Sequence, residues 1–194
     1  MRRALNVKLE YPYTAAKIAA LRVGQIVAIS GRVVTGRDRL HRYLTEGGKS
    51  PVDLKDGAIY HCGPVVVRES GVWAVKAAGP TTSTRMDGRM PWIIEHEQVR
   101  VIVGKGGMSE ATRKACAKFG CVYLHPVGGA ACSLAQCVQG VAGVHMISEF
   151  GSAEAVWELL VAGFEAVVSI DTRGRSLHRR IEAESRRVLE SLLV

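Results

Sequence analysis

The sequence predicts a mixed α/β domain with layered β/β/α form and a mixed sheet. Two observations carry that reading. Short apolar runs crowd the first half of the chain, and from residue 99 onward runs alternate with glycine-rich turns and helical patterns. Composition agrees, since 47% of the 194 residues are hydrophobic and 23% charged, enough to bury a core without disulfides. Taken in order, Tyr11-Pro12-Tyr13 precedes a helical run over 14–21. Residues 25–34 alternate around a glycine and predict a strand, and 36–44 predict the start of a short helix. Gly47-Gly48-Lys49-Ser50-Pro51 is a loop. Residues 58–67 and 72–78 predict two strands of a hairpin turning near Glu69-Ser70-Gly71. A strand over 99–103, the turn Gly104–Met108 and a helix over 109–119 follow. Then come a strand over 121–124, the turn Gly128-Gly129, a late strand over 166–170 and a helix over about 176–193. The whole chain, 1–194, reads as one domain; its strand order stays open.

Charge and cysteines narrow the function classes. The net charge of +8 points to anionic partners. Much of the excess lies in Arg173, Arg175, Arg179, Arg180, Arg186 and Arg187, interrupted by Glu182, Glu184 and Glu190. Leu177, Ile181, Val188 and Leu192 fall on one face, so this segment predicts an amphipathic surface helix. Aromatic residues make up only 6% of the chain and no recognition motif accompanies the charge, so nucleic acid is not the expected partner. No apolar run suits a signal peptide or a membrane span, and the expectation is a cytoplasmic protein without membrane contact. The five cysteines, at 62, 116, 121, 132 and 137, lack C-x-x-C spacing and read as small buried hydrophobes, not as metal ligands.

Three segments pair a backbone suited to anions with a cation. In Thr35-Gly36-Arg37-Asp38-Arg39-Leu40-His41, Arg37 can fork onto a carboxylate, and His41 lies one helical turn on. The bland reading has Arg37 paired with a nearby acid and His41 packed. In Gly79-Pro80-Thr81-Thr82-Ser83-Thr84-Arg85-Met86-Asp87, Thr84 and Asp87 have capping-box spacing, which predicts a helix starting near Arg85. The hydroxyls of Thr81, Thr82 and Ser83 then line its entry, and a bound anion would offset Arg85 at the positive helix end. In Gly104-Lys105-Gly106-Gly107-Met108, glycines allow close backbone approach and Lys105 adds a point charge, without P-loop spacing. Residue types alone stop at a small-anion site.

Together these segments resemble the β subunit, or C-terminal domain, of class I iron–sulfur fumarases and L-tartrate dehydratases. The strings are G-R-D-x-x-H at 36–41, Y-H-C-G-P at 60–64, G-P-T-T-S-x-R-M-D at 79–87 and G-K-G-G-M at 104–108. H-P-x-G-G-A-A at 125–131 and S-I-D-x-x-G at 169–174 complete them. The resemblance covers nearly the whole chain and implies a swivelling β/β/α domain. It also implies a separate α subunit holding an oxygen-sensitive 4Fe–4S cluster, in an α2β2 heteromer acting on a small dicarboxylate. The cluster's open iron would act as Lewis acid on the leaving hydroxyl. Arg37, Arg85 and Lys105 would grip substrate carboxylates beside Thr81, Thr82 and Ser83. Thr81 is implied as the proton-transfer base, with His41 as the ordinary chemical alternative.

The expected activity is reversible hydration of fumarate to L-malate by a hydro-lyase that works only with its α subunit. L-tartrate dehydratase and mesaconate hydratase are the near alternatives, because one methyl group changes discrimination by only about 1–3 kcal/mol. From another class, a non-catalytic dicarboxylate-binding module would keep the anion site and lack the partner.

Overall fold

The computed structural model describes residues 7–193. In chain order its elements are β1 (Val7–Glu10), α1 (Ala15–Ala19), β2 (Ile26–Thr35), α2 (Asp38–Thr45) and β3 (Ala58–Tyr60). The hairpin β4 (Val65–Glu69) and β5 (Val72–Ala77) follows, then α3 (Met90–His96), β6 (Val101–Val103), α4 (Glu110–Phe119) and β7 (Val122–His125). The chain continues through α5 (Ala131–Ala135), β8 (Val138–His145), α6 (Ile147–Phe150), β9 (Val156–Ile170) and α7 (Leu177–Leu192).

Seven strands form one mixed sheet in the order β1-β2-β3-β6-β7-β9-β8. Because β9 also pairs antiparallel with β2, from Ile26↔Val167 to Val34↔Glu158, the ladder closes on itself. The circuit runs β2–β3–β6–β7–β9–β2, with β2, β3, β6 and β7 mutually parallel. Closure pairs β2 with β9 along most of the length of β2, so neither long strand leaves that side of its backbone donors unpaired.

Sequence explains which side of each strand faces what. β3, β6 and β7 are too apolar to alternate, as strands covered on both faces must be. Ala58, Tyr60, Val101, Val103, Val122 and Leu124 point into the closed sheet, beside Val27, Ile29, Phe164 and Val168. The intervening Ile59, Ile102 and Tyr123 point outward and pack under Leu40 and Leu44 of α2, Ile93 and Ile94 of α3, and Cys116 of α4. Two strand layers and a helix layer result, the expected β/β/α arrangement. Gly31 sits at a bulge in β2 with φ of 104°, and a Cβ there would come within 2.6 Å of Tyr11 Cβ. Only glycine lets the Tyr11 segment lie against the strand.

Several expectations are corrected. Residues 58–67 are two strands, because the chain leaves the sheet at His61-Cys62-Gly63-Pro64 to build a separate hairpin. That hairpin turns at Ser70 and Gly71, both with positive φ, which suits its twist. The late strand is β9, fifteen residues long, and β1, β8 and α3 stand where no element was expected. Of the cysteines, Cys62, Cys116 and Cys121 are buried as expected, while Cys132 is exposed and Cys137 half-buried. Among the described residues no helix is long and apolar enough to cross a membrane.

A buried clip fastens the two long strands where the site begins. The Thr35 hydroxyl donates to the Ala155 carbonyl at 3.2 Å and accepts from the Trp157 N–H at 3.0 Å, out of solvent. Thr35→Val keeps the shape and leaves both backbone groups unpaired, so a loss of about 1–3 kcal/mol in urea unfolding is expected. A loss within measurement error would mean the clip contributes nothing.

Candidate active site

The strings singled out in the sequence gather at one end of the parallel strands. Gly36 and Arg37 follow β2, His61 follows β3, Gly104 and Lys105 follow β6, and His125 ends β7. Carboxyl ends of parallel strands are where α/β sheets bind ligands, since each strand there releases a loop beside its neighbour's. The Thr81–Asp87 segment is laced into this end by backbone bonds. Thr81 N donates to His61 O at 2.7 Å, Lys105 N to Thr81 O at 3.3 Å, and Ser83 N to Lys105 O at 2.9 Å.

Each arginine is held by a carboxylate. Arg37 stands just before α2; its Nε lies 3.2 Å from Glu154 Oε1 and its Nη1 3.4 Å from the Ala153 carbonyl. The side chain lies across Gly63, where any Cβ would overlap its guanidinium. Arg85 pairs with Asp38 in the first turn of α2, tying the threonine-rich segment to that helix. The ion-paired alternative for Arg37 is thus realised. An arginine has five donors and these contacts leave some for a ligand.

The expected capping box does not form. Ser83–Arg85 make a single 3-10 turn, and no α-helix begins there. Asp87 turns away, accepting from Ser109 N at 3.0 Å and from the Thr112 hydroxyl at 2.6 Å, while the Thr84 hydroxyl donates to Gly107 O at 3.3 Å. Asp87 therefore caps α4, whose own N-cap serine makes no side-chain bond. A short-range spacing rule had no access to that long-range competitor. What the segment offers an anion is its hydroxyls and Arg85, not the N–H groups of an α-helix.

Behind the cations lies a buried polar chain. His41 is fully buried, and its Nδ1 lies 2.7 Å from the Arg37 carbonyl, which can only accept. Neutral His41 therefore carries its proton on Nδ1 and a lone pair on Nε2. Desolvation pulls its pKa from 6.5 down to about 4, against the opposing pull of that backbone bond. The His61 ring meets it edge-on, centroids 5.0 Å apart, and its pKa is lowered well below the usual range by burial and by His41. His61 Nδ1 bonds Ser83 Oγ at 2.8 Å, and Tyr123 Oη reaches Ser83 Oγ at 3.1 Å and donates to Gly106 O at 2.9 Å. The Nε2 atoms of both histidines are buried without a protein partner. Gly104 makes room for the chain, since a Cβ there would overlap Ser83 Oγ.

Arg37, Thr81 and Lys105 are half-buried and Thr82 and Arg85 exposed, whereas Ser83 and His41 are sealed. His61, Tyr123, Glu154 and Asp38 join the site without having been expected there. His61 stood in the Y-H-C-G-P string, the one signal that could have found it; Tyr123 and Glu154 carried none. Among the described residues no three His, Cys, Asp or Glu side chains are grouped to hold a metal ion.

Known proteins share this pattern. A family model described as the fumarase C-terminus matches residues 1–181. A Geobacillus stearothermophilus protein named "Putative fumarate hydratase class I" is 46% identical over 180 residues, covering 92% of this chain and 35% of that protein. The L(+)-tartrate dehydratase subunit beta of Escherichia coli K12 is 37% identical over 183 residues, 92% of this chain and 90% of its own. "Putative L(+)-tartrate dehydratase subunit beta" of Methanocaldococcus jannaschii is 36% identical over 193 residues, covering 95% and 99%. The chain thus spans about a third of the first relative's length and nearly all of the two named beta subunits. With the family model running from the first residue to Ile181, through every string that builds the site, the chain belongs to the fumarase C-terminus family.

Proposed function

We propose that this chain is the β subunit of a two-subunit, cytoplasmic iron–sulfur hydro-lyase that hydrates fumarate reversibly to L-malate. The observation that carries the reading is the convergence of Arg37, the Thr81–Arg85 segment and Lys105 at the carboxyl ends of β2, β3 and β6. A partner α subunit would hold the 4Fe–4S cluster, in an α2β2 assembly. Fumarate is preferred to L-tartrate or mesaconate because the relative named for fumarate hydratase is 46% identical, against 37% for the E. coli tartrate subunit.

The chemistry asked of this chain is electrostatic. Removing a proton from the carbon beside a carboxylate shifts charge onto that carboxylate. Fixed cations there stabilise the developing charge more than the bound ground state. Arg37 and Arg85 are held by Glu154 and Asp38, so their orientation is set before substrate arrives, and Lys105 rides on a loop bonded to Thr81. The threonine hydroxyls supply hydrogen bonds to the same anion.

Burial supports Thr81 over His41 as the base. His41 has no exposed surface, and its Nδ1 is engaged with Arg37 O. Thr81 is half-buried beside the Lys105 loop, within reach of a ligand. On that ground we propose Thr81 as the base, its alkoxide favoured by nearby cations. His41 is a positioning residue that fixes the Arg37 backbone.

With the α subunit, after anaerobic cluster reconstitution, Thr81→Ala should lower kcat on fumarate by about 100-fold or more with KM little changed. Arg37→Lys, which loses the fork, should raise KM and lower kcat/KM by about tenfold or more. Near-normal kcat in Thr81→Ala would remove Thr81 as base. Dicarboxylate binding without turnover of fumarate, L-tartrate or mesaconate by the reconstituted mixture would support the binding module instead.

Burial of His41 also sets a pH dependence of stability. Its folded pKa of about 4 lies below the unfolded 6.5, so the unfolded chain takes up protons first as pH falls. His41 then costs about 1.4 kcal/mol per pH unit between those values, and His61 adds in the same direction. Urea unfolding at several pH values should show His41→Gln losing stability less steeply below pH 6.5 than the parent chain. Parallel slopes would show that His41 titrates normally.

A further inference from the structure

Helix α7 leaves the body of the molecule. Its first turn is anchored: Ser176 caps it through Arg179 N, and His178 Nδ1 lies 2.7 Å from Ser169 Oγ. From Arg179 to Leu193 every residue is exposed. Ile181 is 51% exposed, Val188 58%, Leu189 56% and Leu192 76%, although these are the apolar residues of an amphipathic helix. A helix of this length gains little from intrinsic propensity in water and depends on packing of its apolar face. The family match ends at Ile181, where that face parts from the body.

We propose that the free part of α7 pairs antiparallel with α7 of a second copy of this chain, making an isologous contact between β chains. Leu177, Ile181, Val188 and Leu192 fall within about 60° of helical arc at 3.6 residues per turn. Their spacing is its own mirror image, so an antiparallel register places Leu177 against Leu192 and Ile181 against Val188 of the second copy. In such a pair each flank meets the same flank of its mate. One flank carries Glu184 and Arg187, while Arg186 lies on the far side of the helix, paired with its own Glu182. In this register Glu184 approaches Arg187 of the second copy. These opposite charges meet twice by symmetry.

A separate feature of the body fits the same register. Beside the start of the helix lies a cavity of about 240 Å³ lined by Leu177, Ile181, Val167, His125, Ser169 and His178. The register that pairs Leu177 with Leu192 brings Leu192 of the second copy to its mouth. The charge balance favours this occupant over a membrane or nucleic acid, because four arginines of the helix are offset by three glutamates. The proposal does not depend on which substrate the site takes.

Sedimentation equilibrium of the full chain over a concentration series tests it, with circular dichroism to confirm folding. A reversible dimer is expected. Glu184→Arg, which sets like charges against each other in both copies, should raise the dimer dissociation constant about tenfold, and Glu184→Arg with Arg187→Glu should restore it to within about threefold. A chain that stays monomeric throughout overturns the pairing, as does a dimer indifferent to Glu184→Arg. The same variants mixed with the α subunit give the remaining discrimination. Loss of α binding with self-association intact would assign the helix to the α subunit and overturn the second-copy occupant. Since both substitutions lie outside the catalytic cluster, failure of this pairing leaves the hydratase assay unaffected.

Discussion

The fold hangs on the antiparallel pairing of β2 with β9. Without that pairing the seven strands would form an open sheet, with β3, β6 and β7 lying between β2 and β9 and nothing joining those two long strands. With it the ladder closes, and one continuous core forms inside the circuit. The pairing also fixes the direction of the site. β2 ends at Thr35, whose hydroxyl is bonded at both sides of Val156 at the start of β9. The residues just outside this clip are Arg37 on one strand's exit and Ala153 and Glu154 on the other's entry, and they are the partners that hold one another. The arginine's carboxylate is thus supplied by the strand pairing itself.

That arrangement addresses an electrostatic difficulty. A protein with net charge +8 that concentrates Arg37, Arg85 and Lys105 at one end must limit their mutual repulsion before a ligand arrives. Glu154 and Asp38 each neutralise one guanidinium while leaving donors over. The polar layer beneath contributes no further positive charge, because burial keeps His41 and His61 neutral. Desolvation at that depth costs far more than the hydrogen bonds to Arg37 O and Ser83 Oγ return to the charged form. Lys105 has no carboxylate partner among the described residues, and it is the cation most dependent on a bound anion.

How much of this could be read in the chain depended on whether the signal was local. Residues 109–119 and 176–193 were legible as helices because their apolar spacing and caps are local, and α4 and α7 lie there within a residue or two. The strands at 25–34 and 99–103 were legible for the same reason. β8 was not, because Val138–His145 has six residues of intermediate exposure and two exposed in place of an alternating face. The full extent of β9 was hidden by Ala162-Gly163, which lie at a register shift against β2 between the paired residues Val161 and Phe164. At the site, Arg37, Thr81 and Lys105 were visible as motif residues. The role of Asp87 was misread, since a contact with Ser109 and Thr112 twenty-two and twenty-five residues away outcompeted the local cap.

The same long-range logic decides where the family body ends. The first turn of α7 is part of the site's scaffold: Glu110 at the start of α4 pairs with both Arg113 and Arg179, and Arg113 donates to Gly174 O. His125 accepts from Gly106 N at 3.1 Å, with the His178 ring 5.8 Å away. These contacts brace the Gly104–Met108 loop from behind, so the turn from Ser169 to His178 is bound to the geometry of Lys105. Beyond Ile181 no described residue of the helix touches that scaffold closely enough to be covered. The contacts of the candidate site therefore involve the helix up to its first turn and leave the rest untouched. An apolar stripe that runs on past that point, exposed from Ile181 to Leu192 and flanked by Glu184 and Arg187, is the face that the pairing of two copies would cover.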